Sequence, residues 1–146
     1  MSVTIGRKTE TEEFMRLYRS KRPEFVAVYG RRRVGKTYLI KNVFKDKMTF
    51  YHTGLSPFDD TVSSKLQDQL KSFYHSLVHY GMEPTTPPKN WYDAFYMLEN
   101  LLKSLGDTER QVVFIDELPW MDTPRSKFLS AFEHFWNGWG SGRDNL

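Results

Sequence analysis

At 146 residues the chain is long enough for one domain with a proper core and too short for two. Its formal net charge of +3 suits anionic ligands without demanding nucleic acid, and the absence of cysteine excludes a disulfide framework and any thiolate metal site. No apolar run approaches the length of a membrane span and Met1-Ser2-Val3-Thr4-Ile5-Gly6 has no secretory apolar core, so no membrane partner is expected and a cytoplasmic protein is the default reading.

Thr9 and Glu12 offer a capping box, and Phe14, Leu17 and Tyr18 make one apolar helical stripe, which together predict a helix over about residues 10–20. After Pro23, residues 25–29 form an unbroken apolar run, the pattern of a first strand buried on both faces. Leu39, Ile40, Val43 and Phe44 share one face of the helix that follows, and residues 48–51 read as a second short strand. Val62, Leu66, Leu70, Phe73 and Leu77 recur with helical period, predicting a helix over 61–80 that Gly81 ends. A proline-rich loop precedes another helix over 91–105, with Phe95, Leu98, Leu102 and Leu105 inward. Residues 111–115 are the third strand. Thr123 then caps a last helix with Pro124 in its first turn and Phe128, Leu129, Phe132, Phe135, Trp136 and Trp139 along its apolar side. Strands alternating with helices imply parallel pairing in a three-layer α/β arrangement, with ligands at the carboxyl ends of the strands.

Between the first strand and its helix stands Gly30-Arg31-Arg32-Arg33-Val34-Gly35-Lys36-Thr37, followed by Tyr38. Gly30 ends the strand where a side chain would obstruct the turn, and Gly35 lets the backbone approach a phosphate closely. Successive backbone N–H groups then make an anion nest at the positive end of the helix. Lys36 can reach the β- and γ-phosphates of a nucleotide as a point charge, and the Thr37 hydroxyl can ligate Mg²⁺. This is a Walker A pattern, and the cofactor-binding set is Gly30, Arg31, Arg32, Arg33, Val34, Gly35, Lys36, Thr37 and Tyr38. A second pattern closes the third strand: Val112-Val113-Phe114-Ile115 runs into Asp116-Glu117. A buried strand delivers Asp116 to its carboxyl end, where it can hold Mg²⁺, and Glu117 can orient or deprotonate an attacking water. Weak by itself, this Walker B pattern gains force from standing behind a Walker A in the right order.

Ile5-Gly6-Arg7, the Gly-Arg-Arg-Arg loop and Asp116-Glu117-Leu118-Pro119-Trp120 together resemble the archaeal and bacterial ATPase-2 group of AAA-type P-loop ATPases, in the STAND branch. The resemblance implies a P-loop NTPase fold that binds ATP with Mg²⁺, with Lys36 and Glu117 catalytic, Thr37 and Asp116 at the metal, and Ile5 and Gly6 against the adenine. Relatives of this kind continue into a further strand that lies between the phosphate-loop strand and the acidic strand. Residues 1–146 are therefore expected to be the N-terminal portion of the ATPase domain, with an incomplete sheet (core strands about 25–29, 48–51 and 111–115). Either 26–29 pairs directly with 112–115 or a second copy fills the gap by self-association.

Other signals have plainer readings. Arg31, Arg32 and Arg33 can neutralise phosphate or contact a neighbouring subunit, although side chains at such loop positions more often face solvent. Arg143 is a solvated residue sooner than an arginine finger, and His52, His75, His79 and His134 are better read as helix-surface histidines than as metal ligands. The sequence favours Mg²⁺-dependent ATP hydrolysis in the complete protein, with a non-catalytic nucleotide-gated switch or interaction module as the alternative.

Overall fold

A computed structural model describes residues 8–28, 35–56 and 65–146. Helix α1 (Lys8–Arg19) places Glu10 in its first turn and Arg16 and Arg19 in its last, matching the helix dipole at both ends. Helix α2 (Lys36–Val43) leads to strand β1 (Met48–Thr53), and helices α3 (Leu66–His79) and α4 (Trp91–Ser104) precede strand β2 (Val112–Asp116). Asn90 caps α4 by accepting from Asp93 N at 2.8 Å, and α3 stops where Gly81 turns to φ 119°. A short helix α5 (Leu118–Met121), then α6 (Phe128–Gly138) and a 3-10 turn at Gly140–Gly142 complete the order.

The two described strands pair in parallel, His52 opposite Ile115 and Thr53 opposite Asp116. Alternation along the strands assigns the layers. Phe50 points to α3, its ring 5.4 Å from Phe73 and 5.6 Å from Tyr80. The neighbouring Tyr51 points the other way, its ring tilted against Phe114 at 5.3 Å with the Lys41 ammonium of α2 4.7 Å above it. Helices therefore cover both faces, as the α/β reading requires. The principal core lies on the α3 side, where Phe73, Leu77, Trp91, Leu98, Met121 and Phe128 have no exposed surface. On the other side α1 packs on α2 through Phe14 and Tyr18, whose rings lie 5.8 and 6.0 Å from Phe44.

The expected first strand is not formed over its described residues. Residues 25–28 carry no ladder hydrogen bonds and leave Phe25 and Val26 53% and 46% exposed; Tyr29 lies outside the described residues. The reason is geometric. An apolar cavity of about 580 Å³ separates this segment from Val112–Asp116, so among the described residues no strand edge is within hydrogen-bonding reach. Phe14 of α1, Phe44 just after α2, and Phe132 and Trp136 of α6 line the gap. Direct pairing of 26–28 with 112–115 is thus excluded, and the arrangement is an incomplete α/β P-loop fold with a small parallel sheet. At one end the gap is bridged, because Asn145 O accepts from Gln111 N at 2.7 Å and Leu146 O accepts from Glu24 N at 2.9 Å.

Two further expectations are corrected. The last helix begins at Phe128 and not after Thr123, since Arg125 and Lys127 take φ values of 62° and 60° and Ser126 N closes a turn onto Thr123 O. Arg143 is not simply a solvated residue but is tied into the fold by its guanidinium. Its guanidinium lies 4.8 Å over the Trp139 ring and donates to Gly106 O at 3.1 Å and Gln111 Oε1 at 3.3 Å.

Candidate functional site

Asp116 is the last residue of β2 and the junction of the site. Alternation along the strand sends Val113 and Ile115 toward the principal core and leaves Phe114 and Asp116 on the face covered by α2. Gly35, at φ 84° and ψ 13°, turns the chain into α2 so that Lys36 and Thr37 open the helix. Residues 79 positions apart consequently meet. The Thr37 hydroxyl donates to Asp116 Oδ2, and Lys36 Nζ lies 3.4 Å from Asp116 Oδ1. Side-chain exposure is 17% for Lys36 and 5% for Asp116, so the pair is largely withdrawn from water.

Glu117 follows in the left-handed region, at φ 59° and ψ 46°. A non-glycine residue held there costs on the order of 1 kcal/mol and needs support from its surroundings. Part of that support is local. Glu117 N donates back to Asp116 Oδ1 at 2.9 Å, Glu117 O accepts from Trp120 N at 3.0 Å, and α5 starts at once with Pro119 in its first turn. One carboxylate thus gathers a hydroxyl, an ammonium and a backbone N–H, while the next residue is turned out of the strand.

Of the residues expected from the sequence, Gly35, Lys36, Thr37, Asp116 and Glu117 are brought to the carboxyl end of β2, and Tyr38 stands beside them on α2, 47% exposed. Ile5, Gly6, Gly30, Arg31, Arg32, Arg33 and Val34 lie outside the described residues. The donor set fits the implied ligands: hydroxyl and carboxylate oxygens are the ligands a hard cation such as Mg²⁺ takes, and an ammonium beside them suits the phosphates it accompanies.

Sequence reasoning missed two features nearby. Gln69 of α3 has no exposed surface, although it occupies the same helical stripe as Leu66, Leu70 and Phe73; a polar residue on an apolar stripe was the available signal. His52 is a buried strand residue and not a helix-surface one. Its Nδ1 lies 2.8 Å from Ser76 Oγ, its Nε2 has no partner among the described residues, and burial lowers its pKa to about 4. Burial first, and then the Asp116 carboxylate, push the Tyr51 phenol up.

Among the described residues no helix is long and apolar enough to cross a membrane. Comparison with curated proteins and with solved structures gave no match. A family model described as AAA domain matches residues 19–145, a span that holds both the Gly35–Thr37 turn and the Asp116–Glu117 strand end. The chain belongs to the AAA domain family, whose modules are P-loop nucleotide binders of the ATPase type, generally Mg²⁺-dependent.

Proposed function

We propose that this AAA domain binds ATP with Mg²⁺ and, in the complete protein, hydrolyses the β–γ bond, as a cytoplasmic member of the ATPase-2 group in the STAND branch. The observation that carries the reading is the convergence of Lys36, Thr37 and Asp116 at the end of β2. Lys36 would leave the Asp116 carboxylate for the β- and γ-phosphates, a short move for an ammonium on a four-carbon stem. Thr37 Oγ1 and Asp116 would hold Mg²⁺, which when bound supplies electrostatic stabilisation of the polyphosphate. The loop from Gly30 to Val34 would cradle the phosphates through its backbone, and Ile5 and Gly6 would lie against the adenine. Glu117 would accept the proton of the attacking water, its backbone turn aiming the carboxylate away from the strand.

A second reading is favoured by the gap beside β2. On the side away from β1 no described strand stands next to Asp116 and Glu117 to present a further polar group to a water. In that reading the module is a nucleotide-gated switch, and the gap takes a strand either from the rest of a longer chain or from a second copy. Glu117→Gln separates the two. Loss of turnover with ATP affinity kept within about twofold is the result expected for a hydrolase, since only a group engaged in the chemical step has been changed. Absence of turnover in both wild type and variant, with ATP still bound, gives the switch.

A further inference from the structure

Helix α3 contributes no residue to the phosphate site, yet one of its side chains reaches the turn that carries Glu117. Gln69, without exposed surface, donates through Nε2 to Leu55 O at 3.0 Å and to Trp120 O at 3.1 Å, and its Oε1 accepts from Leu55 N at 3.0 Å. The amide side chain therefore joins the segment leaving β1 to the helix leaving β2. Gly54 completes the junction from the other direction. Its N donates to Asp116 O at 3.1 Å, and a Cβ placed on it would stand 3.0 Å from Glu117 O, 3.0 Å from Met121 Cγ and 3.2 Å from Trp120 Cβ. Only glycine lets the two exits approach this closely.

We propose that Gln69 and Gly54 form a clasp that fixes the left-handed turn at Glu117, making Gln69 a positioning residue for the water-activating carboxylate. The inference rests on the proposed function for its catalytic meaning, and on the hydrogen bonds alone for its structural one. Two facts direct it to this turn and not to core packing in general. Each polar atom of the Gln69 amide is used on backbone belonging to 55 or 120, so the side chain ties two strand exits together by hydrogen bonds, while Met121 of the same short helix supplies the apolar packing. The turn itself is in a conformation that a glutamate does not adopt unaided. With the clasp removed, Leu55 N, Leu55 O and Trp120 O lose their side-chain partner, and the chain around Glu117 is free to relax toward the ordinary region of backbone space.

The test is amide hydrogen exchange with steady-state kinetics on Gln69→Leu and, separately, on Gly54→Ala, which perturbs the same turn without touching Gln69 and serves if the first variant fails to fold. The expected result is at least tenfold faster exchange across 117–121 with α4 exchanging as in wild type. In the same variants kcat falls at least tenfold, while Mg·ATP affinity stays within threefold. Faster exchange spread evenly through α3 and α4 overturns the clasp, as does unchanged exchange at 117–121. Local loosening with unchanged kcat overturns the positioning role. A wild type that binds no ATP overturns the proposed function instead, and the exchange pattern still decides whether Gln69 holds the turn.

Discussion

On the side of the sheet covered by α3, α4 and α6, Phe50, Phe73, Trp91 and Leu98 retain no exposed surface, whereas across the sheet α1 has no buried residue and α2 buries only Leu39 and Ile40. The first side is a continuous core of interlocked rings, with Trp91 edge-on to both Phe73 at 5.3 Å and Phe128 at 4.8 Å. The second side opens onto the apolar gap between residues 25–28 and β2. The candidate site straddles the two. Asp116 is carried by a strand anchored in the dense half, while Lys36 and Thr37 arrive from the thinly packed half. A ligand that joins them would bind mainly the folded arrangement and so stabilise the looser half by mass action.

The sharpest way to break this contrast is to cut equal rings from each side. Phe73→Ala removes a ring that touches Phe50, His52, Trp91 and Phe95 in a site with no room to collapse, and should cost about 4 kcal/mol in urea unfolding. Phe14→Ala, taken from a half-buried ring against Phe44, should cost only about 1 kcal/mol by the same measurement. Comparable losses at the two positions would erase the asymmetry.

Acid probes the dense half by a different route. His52 is held neutral, with its folded pKa lowered to about 4 by burial against an ordinary value of 6.5. The unfolded chain therefore takes up a proton between those pH values that the folded chain refuses, and stability must fall as pH drops through that window. The loss should reach about 3 kcal/mol by pH 4, an effect between those of the two ring deletions. His52→Gln should flatten this limb of the stability profile, and an unchanged slope would place the acid sensitivity elsewhere. At the bottom of the scale, Glu13→Ala breaks only the exposed ion pair with Arg16 on α1 and should leave the unfolding midpoint where it was.

The pattern of residues announced much of this architecture. Helical spacing located α1, α3 and α4, and the apolar runs at 48–51 and 111–115 became β1 and β2 with their ends shifted by one or two residues. Asp116 was legible because a buried strand that ends in acids has to deliver them to its carboxyl end. What stayed hidden depended on neighbours distant in sequence. Residues 25–28 have the composition of a buried strand, yet strand formation needs a partner edge, and the gap supplies none. The left-handed backbone at Arg125 and Lys127, which delays α6, has no glycine or asparagine to announce it. The roles of Gln69 and Arg143 are set by carbonyls that only the fold brings together.

Titration calorimetry of ATP with Mg²⁺ against wild type and Lys36→Ala tests the central claim most directly. Removing the ammonium that faces Asp116 takes away a charge-assisted contact to phosphate worth about 2–3 kcal/mol, so the variant should bind about 30-fold to 150-fold more weakly. Equal affinity in the two proteins would contradict the assignment of a nucleotide site to the junction of α2 and β2.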